Sequence, residues 1–301
     1  PLFLGDWLRN NDIESREVAE KEIKRLQSWG AVSLKQYLQP RREQRQWISD
    51  VARKQKLIVT GEGSDLPYNL SMIMDGQTAW EHPLTPAPIY SDVARFLGKA
   101  RAIYSPTFVV GGLGAWNEEY FYQQGEVWKD PKLRRFLPWR QLVPHTRRRM
   151  MRPLTDYSFP LIAQGLADII AEGGFGAIGS HGQQHGIAAH WEVWMAASAL
   201  GPMGALELAS SHGAHFLGAP KDLGSIEVDK LADLMVLDSD PIADIRATTD
   251  IAWVMKGGVL YDANTLDEVW PQPRPYGAYP WVDSEIFRSD DRPIDYWDQS
   301  K

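Results

Sequence analysis

The segment "MGALELASSHGAHFLGAPKDLGSIEVDKLADLMVLDSDPIADI", residues 203–245, changes character half-way along its length. Its first half has the apolar spacing of a helix, whereas from Gly224 onward it is rich in strand-forming residues. The next stretch, "DIAWVMKGGVLYD", places two apolar runs around a Gly-Gly turn, which predicts a hairpin. We therefore expect a domain boundary near residue 222, followed over residues 223–301 by a small β segment and an extended tail.

Upstream of this segment, short apolar runs alternate with amphipathic helices, a pattern typical of a parallel sheet built from βα units. Each predicted strand ends in polar or titratable residues, as in a (βα)8 barrel, where the chemistry lies at the carboxyl ends of the strands. Five strands are too few to close a barrel, so the predicted fold class is α/β, a partial TIM-like barrel over residues 1–222. The strands read "AVSLKQY", "LIVTGEG", "TAWEHP", "AIYSPTFVVGG" and "FGAIGSH", with an irregular insertion at residues 113–155.

The composition excludes several classes of protein and of site. A net charge of −7 over 301 residues argues against a general nucleic-acid binder, and no apolar run is long enough to predict a membrane span. The chain has no cysteine, so any metal must be held by His, Asp, Glu or a modified Lys. No basic leader with an apolar core is visible, and the compartment stays open.

The C-terminal segment resembles the signature of the amidohydrolase superfamily. The shared pattern is a helix ending in "GAHFLG", then "GSIEVDKLADLMVLDSDPIADI", then "VMKGGVLY". The resemblance implies a (βα)8 barrel joined to a small β-sandwich that is built from both ends of the chain. It also implies hydrolysis of C–N bonds with one or two divalent metal ions.

The resemblance extends upstream, where the five predicted strands look like barrel strands four to eight of amidohydrolases often fused behind a TolB-like β-propeller. That superfamily carries a His-x-His pair on its first strand, and no His-x-His occurs in this sequence. The expectation is that the chain is the C-terminal portion of a longer enzyme, with the N-terminal remainder as its partner. Such a part-barrel has open sheet edges, so poor solubility or self-association into a homo-oligomer is also expected.

Lys35 and Glu62 follow the first two predicted strands. The resemblance implies that Lys35, at the end of barrel strand four, is carboxylated and bridges two metals; the alternative is a surface lysine. Glu62 stands where most of the superfamily has a metal-binding His, and a carboxylate can also bind zinc. The alternative for Glu62 is a carboxylate that accepts hydrogen bonds from nearby backbone N–H groups.

His82 and His181 complete the candidate site. His82, in "AWEHP", matches the metal-binding histidine of barrel strand six, whereas its neighbour Glu81 is expected to point to the other side of the strand. His181, in "IGSHG", stands where the superfamily has an Asp that binds metal and acts as the general base. Imidazole suits either role, because its ordinary pKa lies near neutrality.

Four further residues are candidates for contact with the substrate. His185 lies four residues after His181, but "HGQQH" lacks the Glu of the zinc-protease motif, and its glycines disfavour a helix. Tyr104 lies near the end of barrel strand seven, while Tyr68 and Asn69 follow strand five.

The leading hypothesis is a metal-dependent amidohydrolase that cleaves amide, cyclic amide or dipeptide-like substrates by means of a metal-activated water. One or two divalent ions are expected, with zinc as the first choice, and the substrate is a small molecule or short peptide. The alternative is an inactive amidohydrolase-like barrel that serves as a binding module, since Glu62 and His181 both depart from the usual ligands. A dehydrogenase is disfavoured, because no G-x-G-x-x-G opens a βα unit.

Overall fold

The computed structural model describes residues 2–4, 13–37, 39–112 and 114–279. Most of the predicted extended tail, residues 280–301, lies outside the described residues. In the described part, no helix is both long enough and apolar enough to cross a membrane. The predicted boundary at residue 222 stays a prediction.

Six parallel strands form an open arc. The strands run in chain order as two three-stranded sheets. An isolated parallel bridge between Glu62 and Glu81 joins the third strand to the fourth, so the two sheets continue one another. The sequence predicted five of these strands and missed the first; no closed barrel is present among the described residues. The strands are β1 (Leu2–Leu4), β2 (Ser33–Gln36), β3 (Ile58–Gly61), β4 (Ala79–Glu81), β5 (Ile103–Ser105) and β6 (Phe175–Gly176).

Helices cover the outer face of the arc, each formed and oriented by an apolar stripe. In the first two helices, Ile23 and Ile48 are fully buried and pack with Leu34 and Val59 of the neighbouring strands. Ser15 caps the first helix by accepting a hydrogen bond from the Val18 backbone N–H. The helices of this layer are α1 (Arg16–Ser28), α2 (Arg42–Lys54), α3 (Leu66–Met74), α4 (Ser91–Lys99) and α8 (Phe159–Ala171).

The insertion between β5 and β6 is helical rather than irregular, which corrects the sequence prediction. Its helices are short, and prolines and glycines separate them, so no long apolar period marks them in the sequence. Asp130 starts one of them by accepting a hydrogen bond from the Leu133 backbone N–H. The three helices are α5 (Glu118–Gln124), α6 (Pro131–Phe136) and α7 (Trp139–Arg147).

The C-terminal region consists of a kinked helix followed by a four-stranded antiparallel sheet. The helix α9 (Ile187–Glu207) bends at Gly201, whose φ of 69° is left-handed, and α10 (Gly213–Phe216) follows a π-helical turn. In the sheet, Asp233 pairs with Lys256 and accepts a hydrogen bond from the Gly257 N–H at 2.7 Å, which fixes the Gly-Gly turn. The sheet contains β7 (Leu234–Leu237), β8 (Ile251–Lys256), β9 (Val259–Asp262) and β10 (Glu268–Trp270), in the order β10-β9-β8-β7.

Candidate active site

The four predicted metal-site residues, Lys35, Glu62, His82 and His181, line one cavity of about 360 Å³ at the carboxyl ends of the parallel strands. Parallel pairing produces this convergence. Lys35 on β2 pairs with Thr60 on β3, and the residues that follow each strand therefore meet at one edge of the arc. The cavity is lined by Lys35, Tyr37, Glu62, Glu81, His82, Thr107, Gly179 and His181.

Glu62 is the electrostatic centre of the cavity. Its Oε2 lies 2.8 Å from Lys35 Nζ, and its Oε1 contacts His82 Nε2. Burial favours the neutral carboxyl, but the hydrogen bonds and charges of His82 and Lys35 outweigh it and lower the pKa of Glu62 to about 2. Glu62 is therefore ionised throughout the neutral range, and its partners are side chains rather than the backbone N–H groups of the alternative interpretation.

Glu81 also faces the cavity, contrary to the expectation from strand alternation. Its Oε1 lies 4.0 Å from Lys35 Nζ and accepts a hydrogen bond from the Thr60 hydroxyl at 3.3 Å. Alternation holds only while the backbone stays extended, and it ends at His82, whose φ is 73°. Lys35 consequently lies between two carboxylates.

Three cavity residues have a left-handed backbone that is unfavourable for residues other than glycine. His82, Thr107 and His181 have φ values of 73°, 51° and 55°, and each follows the end of a parallel strand. A left-handed conformation costs an L-residue roughly 1–2 kcal/mol. Strain of this kind is concentrated at functional sites, where the surrounding fold holds it in place. Three such positions around one cavity therefore support its choice as the candidate site on grounds independent of its charges.

The four predicted substrate residues do not line this cavity. Tyr104 is buried in the core, where it stacks on Trp80 at 4.7 Å and its hydroxyl accepts a hydrogen bond from the Leu84 N–H at 3.0 Å. Tyr68 donates to the Gln39 carbonyl, and Asn69 bonds the backbone of Ser64 through both ends of its amide. These three residues support loops and core, and their positions do not support the prediction that they contact substrate.

His185 is exposed and lies at a separate opening beside the insertion. It lines a cavity of about 290 Å³ together with His145 and Gln183. It also borders a cavity of about 650 Å³ between α6, the start of α9 and the antiparallel sheet. The predicted contact of His185 with substrate stays a prediction.

Sequence reasoning missed Glu192, which ties α9 to the turn after β5. This α9 carboxyl is fully buried, and its Oε1 accepts a hydrogen bond from the Val109 N–H at 2.7 Å. Burial raises its pKa to about 8, although backbone hydrogen bonds from Val109, Phe108 and Gly179 lower it in part. The turn after β5 is thus held by one buried side chain. The only signal in the sequence is an acidic residue on the apolar face of "HWEVWM".

The donor types in the cavity suit a divalent metal, but their present spacing does not form a complete ligand set. Imidazole and carboxylate are common ligands of zinc, and the cavity offers Glu62, His82 and His181. Among the described residues, however, no three or more His, Cys, Asp or Glu side chains are grouped so that they could hold a metal ion. Glu62 is instead engaged with Lys35 and His82, so metal binding requires these contacts to rearrange.

Residues 163–261 match the model of the amidohydrolase family. The matched part runs from α8 through α9 to the antiparallel sheet, and it includes His181. Among curated protein sequences, none matches this chain.

Solved structures with a similar fold include a dipeptidase, a putative prolidase and an ochratoxinase. A Xaa-Pro dipeptidase with methionine bound in its active site is 20% identical with a TM-score of 0.58, over 82% of this chain and 58% of the dipeptidase. A putative prolidase from Bifidobacterium longum is 18% identical with a TM-score of 0.59, over 94% of this chain and 67% of the prolidase. The ochratoxinase of A. niger is 18% identical with a TM-score of 0.57, over 91% of this chain and 57% of the ochratoxinase. At such identities the likeness shows a shared fold of TIM-barrel type, and this chain spans 58% of the dipeptidase's length.

Proposed function

We propose that the chain carries the site of a metal-dependent hydrolase that cleaves C–N bonds in dipeptide-like amides. The observation that carries this proposal is the convergence of Lys35, Glu62, His82 and His181 in one cavity at the carboxyl ends of successive parallel strands. The family match and the neighbours named for prolidase and dipeptidase activity support the reaction class. They favour dipeptide-like substrates over cyclic amides.

Glu62 and His82 would hold a divalent ion, with zinc expected, Lys35 would join them if carboxylated, and His181 would serve as the base. When bound, such an ion supplies a lowered pKa for its water and polarises the scissile carbonyl. Further ligands would come from residues beyond this sequence, as the greater length of the neighbours suggests. A TolB-like propeller fused upstream stays part of the proposal and would restrict access to small substrates.

The chain's own residues account for the proton movements. The oxygen of water bonds to the carbonyl carbon, and the imidazole of His181 accepts the proton that the water loses. The C–N bond then breaks, and His181 returns the proton to the leaving nitrogen, so that a carboxylic acid and an amine result. An uncarboxylated Lys35, paired with Glu62 and near Glu81, would instead place positive charge beside the reacting centre.

The experiment is a hydrolysis screen after incubation with Zn²⁺, using Xaa-Pro dipeptides, N-acyl amino acids and cyclic amides, on the protein together with any residues that precede this sequence. Loss of general acid–base catalysis should lower kcat of His181→Gln by about 10²–10⁴-fold. The matched control is His215→Gln on α10, where the ring packs against Phe175 at 4.4 Å, away from the cavity. Hydrolysis that His181→Gln leaves intact, or no hydrolysis of any class, would contradict the proposal.

One observation favours a second candidate, a non-catalytic binding module. Glu62 pairs with Lys35 through Oε2 and with His82 through Oε1, so both of its oxygens are already engaged by side chains of this chain. A folded protein that binds dipeptides without hydrolysing them, whatever metal is supplied, would support this candidate.

A further inference from the structure

A chain of polar side chains links the insertion to His181. His181 Nδ1 lies 3.4 Å from Gln183 Oε1, and Gln183 Nε2 donates a hydrogen bond to Glu118 Oε1 at 3.0 Å. Glu118 starts α5 and is 4% exposed, so the insertion brings a buried carboxyl group to the loop that carries His181.

The contacts of Glu118 set the direction of these hydrogen bonds. Its Oε2 accepts from the Tyr122 hydroxyl at 3.3 Å, and His145 Nε2 lies 3.9 Å from Oε1. Two donors, one on each oxygen, fit an ionised carboxylate, which can only accept. Burial raises the pKa of Glu118 from its ordinary value, while Gln183, His145 and Tyr122 counter that rise.

An acceptor at Glu118 fixes the orientation of the Gln183 amide. The NH₂ group must face Glu118, so the carbonyl oxygen faces His181. A carbonyl oxygen is an acceptor only, and His181 Nδ1 must then carry a proton. In a neutral ring this leaves Nε2 as the nitrogen with a lone pair. Among the described residues, Gln183 is the one hydrogen-bond partner of the His181 ring.

We propose that Glu118 and Gln183 are positioning residues, which hold His181 in the tautomer with the proton on Nδ1 and the lone pair on Nε2. This proposal rests on the proposed function in one respect only, which is the use of the Nε2 lone pair to accept the proton of water or to bind a metal. The same logic operates where a second hydrogen bond fixes the tautomer of a catalytic or metal-binding histidine. It gives the insertion a role beyond covering the strands.

The test reads the tautomer directly, by long-range ¹H–¹⁵N NMR correlations on protein labelled with ¹⁵N-histidine. Signals of His181 are assigned by their loss in His181→Gln. The native protein should show the Nδ1–H form as the main species. Gln183→Leu removes the acceptor and should change the ratio of the tautomers about fivefold, as expected for the loss of one ordinary hydrogen bond. Gln141→Leu is the matched control, because Gln141 is exposed, lines the same small cavity and lies outside the chain of hydrogen bonds.

An exchange of the two groups supplies a second, sharper variant. Glu118→Gln lets the Gln183 amide rotate by 180° and should therefore lose the preference for Nδ1–H. The double variant Glu118→Gln/Gln183→Glu restores a group at position 183 that can only accept, and it should recover the preference.

A native Nε2–H tautomer, or a ratio that Gln183→Leu leaves unchanged, would overturn the proposal. A native Nδ1–H tautomer with the expected responses, in a protein without hydrolase activity, would support the positioning chain and refute only the proposed function. Because Gln183 is only half buried, its variant remains informative even if the Glu118 variants fail to fold.

Discussion

The left-handed backbone at His181 leads to a stability prediction with an unusual sign. With φ at 55°, any side chain at this position costs roughly 1–2 kcal/mol, which glycine avoids. Glycine ordinarily costs about 0.5–1 kcal/mol relative to alanine through the entropy of the unfolded chain. His181→Gly should therefore be more stable than His181→Ala by roughly 0.75 kcal/mol, the difference between the midpoints of these two ranges. Both variants lose the contacts of the imidazole with Gln183 and His82, so this loss does not affect the difference in their free energies of unfolding.

His185 supplies the matched control, since it is an exposed histidine in the same loop without a positive φ. There, the glycine variant should be less stable than the alanine variant by about 0.5–1 kcal/mol. The measurement is urea unfolding of the four variants, with free energies taken at equal m-values. The same sign at both positions would refute the assignment of strain to His181.

Three further predictions concern the core, the site loops and the sheet edges. Glu192 has a pKa of about 8 in the folded state, above its ordinary value, so the folded state holds this proton more tightly than the unfolded state does. The free energy of unfolding should therefore be highest below the pKa that Glu192 has in the unfolded chain. It should fall by up to about 1.4 kcal/mol per pH unit as the pH rises from there towards 8. Glu192→Gln should remove that slope in thermal melts, and a variant that kept it would place the titration elsewhere. Tyr104→Phe should lower the free energy of unfolding by about 1 kcal/mol, through loss of the Leu84 hydrogen bond, and leave KM unchanged; a raised KM would restore Tyr104 as a substrate contact. The parallel arc ends in β1 and β6, each paired on one side only among the described residues, so light scattering should show association, and a cooperatively melting monomer would contradict this.

The sequence predicted the convergence of four residues better than it predicted their surroundings. Lys35, Glu62, His82 and His181 each lie at or after the end of an apolar run, and parallel strands bring such positions together without any knowledge of side-chain packing. Their role as a metal site stays a prediction. Glu81 was assigned to the wrong face of the sheet because the alternation of side chains was extended to His82, where the backbone is no longer extended. The left-handed turn at His82 that ends the strand has no signal in "AWEHP", since it is imposed by the tertiary structure.

The sequence could not identify residues whose role depends on burial, because burial too is decided by the tertiary structure. The motif "IYSPT" does not tell whether Tyr104 is buried in the core or lines a pocket. The stacking of Tyr104 on Trp80 shows that it lies in the core. Glu118 and Gln183 lie 65 positions apart, on an insertion and a strand-end loop that no periodicity connects. The insertion itself seemed irregular because its helices are too short for an apolar period to emerge.

The most direct test of the central claim is the zinc content of the protein, measured by elemental analysis after dialysis against Zn²⁺ and then against buffer. If the cavity is a metal centre, the native protein should retain one or two equivalents, and His82→Asn should lose them. His215→Asn should retain them, because its ring packs against Phe175 away from the cavity. A folded native protein without bound metal, or a His82→Asn variant with its full complement, would contradict the claim.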